Sequence, residues 1–534
     1  MLDFEILNNS LIQDEFPERR DCFSLVEEYL KTDKVSSLCA IYGLRRTGKT
    51  VLLKQAFLSL SNEEREKSLF MTCNKKTDFY NVVAYMKSAI EHGKKYFFID
   101  EITYANNFQD LAEVLSDNFI QNSNVRILIT GTDSLGLSLP SHSNLYDRID
   151  LIHTTYMSFP EFVRITGNDS IDYYMKHGST LSEESPFENY STTQEYIETS
   201  IVENFISSLQ KSEGLRSYPP ALTELYDNKE LENSIQRIIN QYPQSITISA
   251  LRRQFKLSPL NNAVNAMAKN KQNPDLFIKS QIVSEQITNN VKRLLKIDDF
   301  STVIAEDHLN SIKKFLKEMD VIVSIPVITS FTLNKKNIDL EIISHPGMYH
   351  ANLGYTINQL NDDSNWLPTA SEQQKKALLH KVYECSAGKI QENFIITDIY
   401  KMLCKNKTSD LDFIDNNKWY VSKFSDTVNE INEEADLIIV DKQKKEVFLF
   451  EIKHSSEVDD EQVRHLESSN LLNYIKENFG DIKNCAVLYN GQNDFSHKTP
   501  RINVSDFLMD IYKKHNDVDY SISKTLDSLK KTLK

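Results

Sequence analysis

Eight residues constrain this chain more than any others. Gly43-Leu44-Arg45-Arg46-Thr47-Gly48-Lys49-Thr50 fits G-x-x-x-x-G-K-S/T, and it follows the apolar run Ser37–Tyr42 (SLCAIY) directly. The amphipathic segment Val51–Leu60 comes next, so the loop joins a buried strand to a helix, the context this motif requires. The glycines let backbone N–H groups curl around phosphate oxygens, and the helix N-terminus adds positive potential. The spacing assigns Lys49 to the β- and γ-phosphates and the Thr50 hydroxyl to Mg²⁺, making ATP and Mg²⁺ the expected ligands. Gly43, Arg45, Arg46, Thr47, Gly48, Lys49, Thr50 and Val51 form the expected cradle. Only 13 of 534 residues are glycine, so chance would produce the pattern on the order of 10⁻³–10⁻² times in such a chain.

Short apolar runs alternate with helical stretches around the loop. Leu69–Asn74, Tyr96–Asp100, Val125–Thr130 and Ile149–His153 read as four further strands. The expected fold class is therefore α/β, with a doubly wound parallel sheet of the P-loop NTPase kind over residues 1–170. Tyr96–Asp100 ends in Asp100-Glu101. We expect Asp100 to hold the metal shell and Glu101 to polarise the attacking water; a strand end meeting solvent is the competing explanation. Thr132, in VRILITGTDS, is a candidate sensor of the γ-phosphate, against a simple turn after a strand. Arg148, in LYDRIDLI, is a candidate for stabilising charge on the transferring phosphoryl group, against a solvated arginine. Arg19 and Arg20, ahead of the first strand, are candidates for approaching the adenine or the phosphates, against the favoured reading as surface arginines.

Beyond residue 170 the expected organisation is a helical linker and winged-helix-like domain at 171–330, a connecting segment at 331–369 and an α/β domain at 370–534. The helix Glu306–Met319 followed by the strand-like run Val321–Val327 carries the winged-helix expectation. His345-Pro346-Gly347-Met348 reads as a structural turn. The formal charge is −15, which argues against a wholesale electrostatic grip on nucleic acid. Arg252 to Lys279 holds six basic residues and one acidic, a local patch for phosphates or a solvated face. The six cysteines are scattered without a CxxC pair, as expected in a reducing compartment. MLDFEILNNS lacks the apolar core of a signal peptide, and no run approaches the roughly 18 apolar residues of a membrane span. The expected location is the cytoplasm, with no membrane partner.

GLRRTGKT, FFIDEI, LITGTDS, YDRI and SFPEF at Ser158–Phe162 together resemble AAA-class P-loop ATPases of the archaeal and bacterial type. The resemblance implies ATP hydrolysis, and a C-terminal domain like that of restriction endonucleases. Family members usually show serines after the glycine of the fourth strand and a glycine before the arginine; Thr132-Asp133-Ser134 and Asp147-Arg148 stand here instead.

The C-terminal block contains the matching nuclease pattern, Asp436 followed by Glu451-Ile452-Lys453. In a hairpin turning on Gln443-Lys444, Asp436 falls opposite Glu451, and Lys453 shares the Glu451 face. Facing carboxylates destabilise a hairpin unless a positive group lies between them, and a divalent metal held by Asp436 and Glu451 or the Lys453 ammonium would serve. Glu392, in QENFIITDIY, matches the acidic residue the family carries on the preceding helix. The set Glu392, Asp436, Glu451 and Lys453 could bind Mg²⁺ and activate water; a solvated cross-strand network explains the same residues. Two functions stay open. In one, an ATPase cycle controls a nuclease-like domain acting on DNA or RNA. In the other, a nucleotide-controlled switch carries a catalytically inactive domain that only binds a partner, whether a protein or further copies of the chain.

Overall fold

The computed structural model describes residues 3–13, 16–32, 38–110, 125–132, 149–182, 184–211, 220–257, 289, 292, 304–328, 338–363, 366–367, 370–404, 418–426, 433–458, 463 and 466–532. Arg148, Lys269, Lys271, Lys279 and the side chain of Lys256 lie outside them.

The N-terminal sheet contains β1 (Glu5–Leu7), β2 (Leu38–Tyr42), β3 (Ser68–Thr72), β4 (Tyr96–Asp100), β5 (Arg126–Gly131) and β6 (Ile149–His153), in the order β1-β3-β4-β5-β2-β6. The five strands β2–β6 are parallel, while β1 pairs antiparallel with β3. The parallel strands read as continuous apolar runs because helices cover both faces of the sheet. Along β2 the side chains alternate: Leu38, Ala40 and Tyr42 enter one core, Cys39 and Ile41 the other. The tips of β2, β4 and β5 therefore lie side by side at one edge of the sheet, where ligands bind in open α/β folds.

The second sheet contains β7 (Ile322–Ile328), β8 (Ile338–Ile343), β9 (Trp419–Asp426), β10 (Glu433–Asp441), β11 (Glu446–Lys453), β12 (Asp481–Tyr489) and β13 (Arg501–Asn503), in the order β13-β12-β11-β10-β9-β7-β8. This corrects the winged-helix expectation. The strand following Glu306–Glu318 is no wing, because β7 pairs parallel with β9 and antiparallel with β8 inside the C-terminal sheet. The sheet thus crosses the expected divisions at 330/331 and 369/370. Backbone pairing across about a hundred residues of sequence overrode the local pattern of helices closed by a strand. His345-Pro346-Gly347-Met348 is likewise the start of the helix Pro346–Asp362, with His345 buried and bonded to Ser179 (2.8 Å).

The N-terminal sheet packs in two cores of its own, while the glycine loop and the helices after β6 share a third core with the second sheet. Leu44 of the glycine loop, Phe159 and Phe162 belong to the same cluster as Phe394, Ile395, Phe448 and Phe450. The 33-residue helix Glu372–Cys404 runs through it and reaches both halves of the molecule.

Candidate functional site

Gly43 has φ of 149°, and a Cβ there would lie 2.3 Å from Thr154 Oγ1 and 2.4 Å from the Thr154 carbonyl oxygen. Gly48 caps the helix Lys49–Ser59 with φ of 91°. Both positions need a residue without Cβ, one for space and one for conformation. Between them, Arg46 adopts φ of 63°, at a cost of about 1–2 kcal/mol for an L-residue. Lys49 is buried, and its Nζ donates to the Gly43 and Leu44 carbonyls (3.0 and 2.9 Å). The ammonium is thereby held over the loop it follows.

The β4 tip lies against this helix. The Thr50 hydroxyl donates to both Asp100 carboxylate oxygens (3.0 and 3.2 Å), and the Thr130 hydroxyl, at the end of β5, donates to Asp100 as well. Thr130 also accepts from the Glu101 N–H (2.9 Å). Glu101 has φ of 53°, a strained value of the kind that clusters at functional sites. Its Oε2 is buried and has no hydrogen-bond partner among the described residues. Burial raises the Glu101 pKa, the Asp100 charge adds to this, and Lys49 opposes it. A hydroxyl, two adjacent carboxylates and a lysine thus converge beyond the strand tips. ATP and Mg²⁺ fit this donor set, because the loop excludes Cβ atoms and an unpartnered carboxylate oxygen lies beside Asp100.

The remaining loop residues are tied from outside. The Arg45 N–H donates to Ser200 (3.0 Å), on the π-helical turn Ile197–Val202, and the Arg45 guanidinium reaches Tyr104 (2.8 Å) and Glu203 (2.9 Å). Arg46 donates to the Glu184 carbonyl (2.8 Å) and Thr47 pairs with Thr154 (2.7 Å). The Arg45 side chain thus bridges the turn after β4 and the helical segment after β6, and the Arg46 side chain reaches the loop ahead of that segment. Val51 is half-buried against the shared core. Thr132 is buried, and its N–H donates to Thr103 (3.4 Å). The β5 hydroxyl that touches Asp100 belongs to Thr130, two residues earlier.

Arg20 is buried, which corrects its reading as a surface arginine. It donates to the Thr47 carbonyl (2.5 Å) and grips Glu161 through Nε and a terminal nitrogen (2.6 and 3.2 Å). Burial pushes the Glu161 carboxyl up, but Arg20 and then Lys401 outweigh it and bring the pKa down to about 2. Nearby, the Phe159 N–H donates to Asp398 (2.7 Å), on the long helix. Burial raises the Asp398 pKa to about 7.

That helix also carries Glu392, six residues before Asp398 and so about 9 Å away along the axis. The β10–β11 pairing runs Leu437↔Phe450 to Asp441↔Glu446, the register expected from the sequence, although the turn is four residues long instead of two. In the β9–β10 pairing, Ala435↔Phe424 is followed by Ile438↔Ser422. Asp436 and Leu437 together oppose Lys423, a bulge that re-aims the bulged residues. Lys423 Nζ lies 2.5 Å from Glu392 and 3.4 Å from Asp436, while the other Asp436 oxygen accepts from the Ile452 N–H (2.9 Å). Lys389 also donates to Glu392 and Lys453 donates to Glu451, each at 2.5 Å.

Glu392, Asp436, Glu451 and Lys453 are thus brought together with two lysines that sequence reasoning missed. This arrangement does not fit the divalent ion expected on Asp436 and Glu451, because ammonium groups and a backbone N–H already engage the carboxylates. Among the described residues no group of three potential ligands is arranged to hold a metal. No helix among them is long and apolar enough to cross a membrane.

Residues 35–163 match a family profile described as an AAA domain. No curated protein matches the sequence. Among solved structures, the Walker-type ATPase PABY2304 of Pyrococcus abyssi is similar at 13% identity, covering 63% of this chain and 95% of that one, with a TM-score of 0.33. The ADP complex of S. cerevisiae Hsp104 is similar at 13% identity over 74% of this chain and 61% of that one, with a TM-score of 0.27. The Aeropyrum pernix ORC1 protein in complex with DNA is similar at 12% identity over 65% and 94%, with a TM-score of 0.22. The glycine loop, the acidic strand tip and the profile match together support an ATPase domain of the AAA, P-loop type in the N-terminal part of this chain.

Proposed function

We propose that this chain is an Mg²⁺-dependent ATPase whose nucleotide state is passed to a C-terminal domain that binds a partner without cutting it. The observation that carries the ATPase reading is the contact of Thr50 with Asp100, beside the buried, unpartnered oxygen of Glu101. Lys49 leaves the Gly43 and Leu44 carbonyls to meet the β- and γ-phosphates. Thr50 and Asp100 would hold Mg²⁺, which would supply neutralisation of phosphate charge there. Glu101, pushed toward a more basic carboxylate, takes the proton of the attacking water.

Arg20 supports the passage of that state, because it grips a carbonyl of the glycine loop and Glu161 at once. Phe159, two residues before Glu161, is bonded to the helix that bears Glu392. Movement of the loop on phosphate binding therefore bears on the C-terminal sheet through a short, buried path. The lysine pairing of Glu392, Asp436 and Glu451 favours binding over cleavage. The test is ATP turnover with and without Lys49→Ala, together with limited proteolysis of the C-terminal half in the two nucleotide states. Unchanged turnover in Lys49→Ala, or identical digestion with and without ATP, overturns the reading.

A further inference from the structure

The register of the second sheet accounts for the position of one residue that no motif contains. A bulge in β10 sets Asp436 and Leu437 against Lys423 alone. Glu392 reaches the same place from the long helix, and all four polar groups, Glu392, Lys423, Asp436 and Glu451, are buried. Two carboxylates approaching in a buried place need a cation or a shared proton between them. The group found there is an ammonium, 2.5 Å from Glu392 Oε1 and 3.4 Å from Asp436 Oδ1. Lys389 and Lys453 complete the balance, so three carboxylates face three ammonium groups.

We propose that Lys423 is the resident cation of this cluster, standing where a divalent ion would otherwise bridge Glu392 and Asp436. The inference deepens the reading of the C-terminal domain as a binding module and rests on it. Electrostatics agrees: burial tends to neutralise Lys423, but Glu392 and Asp436 outweigh it and hold the ammonium charged. A divalent ion could enter only by expelling a charge that the cluster already binds at short range. Removing that charge should therefore create a metal site in a place where the wild-type chain has none.

The experiment titrates Mn²⁺ into the nucleotide-free full chain, read by the loss of the free-ion electron paramagnetic resonance signal. Lys423→Met retains the packing of the stem without its charge. It should bind Mn²⁺ at least about tenfold more tightly than the wild type, a difference of about 1.4 kcal/mol. Adding Glu451→Gln and Asp436→Asn to that variant should abolish the new binding, which assigns it to this cluster. If Lys423→Met fails to fold in chelator, recovery of its melting transition on adding Mn²⁺ gives the same answer. Wild-type binding at this cluster as tight as in Lys423→Met overturns the proposal, and so does a variant that neither binds nor is restored by Mn²⁺. ATP turnover, measured on the same samples, separates this from the ATPase reading. Lys423 touches neither the glycine loop nor Asp100, so turnover in Lys423→Met should stay within about twofold of wild type, while only its loss in Lys49→Ala tests that reading.

Discussion

The two carboxylate clusters of this chain use similar residues and arrive at opposite electrostatics. At the N-terminal strand tips, Asp100 is met by the hydroxyls of Thr50 and Thr130, which orient the carboxylate without cancelling its charge. In the C-terminal sheet, Asp436 and Glu392 are met by the ammonium of Lys423. Neutral donors leave a negative site ready for a cation, whereas a charged donor consumes it. Counting acidic residues at motif spacing does not separate the two cases. What separates them is the charge of the group that fills the gap.

The largest expected effect breaks the N-terminal half of the comparison. Lys49→Ala should abolish ATP turnover while the chain still folds, as checked by a coupled phosphate assay beside a thermal melt; normal turnover would remove the phosphate role of the loop. Glu101→Gln comes next, with turnover slowed about 10²–10⁴-fold and nucleotide binding retained in a fluorescent-nucleotide titration. If Asp100→Asn is inactive while Glu101→Gln is normal, the two carboxylates exchange roles.

A smaller effect sharpens the link between the halves. Glu161→Ala leaves the buried Arg20 guanidinium unpaired, which should cost about 3–5 kcal/mol in a denaturant melt. A surface pair such as Arg19–Glu27, broken as a control, should cost less than about 1 kcal/mol.

The last effect, spread over several pH units and so small at any one pH step, is a pH dependence at the contact between the halves. Asp398 has a folded pKa raised from 3.8 to about 7 by burial, so the folded state binds the proton more tightly than the unfolded chain. Its contribution to stability is complete below about pH 4 and is lost as pH rises toward 7, by about 1.4 kcal/mol for each pH unit between the two values. Asp398→Asn should flatten the fall in melting temperature between pH 5 and 8 relative to wild type. An unaltered slope would mean that Asp398 is ionised in the folded chain.

Much of the N-terminal half was legible because its signals are local. Tyr96–Asp100 and Ile149–His153 are strands with the bounds that their apolar runs suggested; for the inner strand Tyr96–Asp100 the reason is burial, since a strand buried on both faces has few ways to end except at a polar residue. The β10–β11 register was legible too. Lengthening the turn from two residues to four about the same centre leaves every pair unchanged, so Leu437 still meets Phe450. Thr130 lay inside a motif already singled out, but periodicity does not say which of two nearby threonines turns toward Asp100.

What the amino-acid order determined by itself was therefore the glycine loop, the parallel strands around it and the hairpin that carries Asp436 and Glu451. Each follows from backbone preference and side-chain alternation within some twenty residues. Only the tertiary structure decided that β7 joins the C-terminal sheet, that Arg20 grips Glu161 across 141 residues, and that Lys423 fills the gap between Glu392 and Asp436. These are pairings of buried charges and strand edges brought together by folding. Their partners are chosen by desolvation: an arginine or a lysine looks alike in sequence whether water or a carboxylate surrounds it, and only burial makes the difference of several kcal/mol.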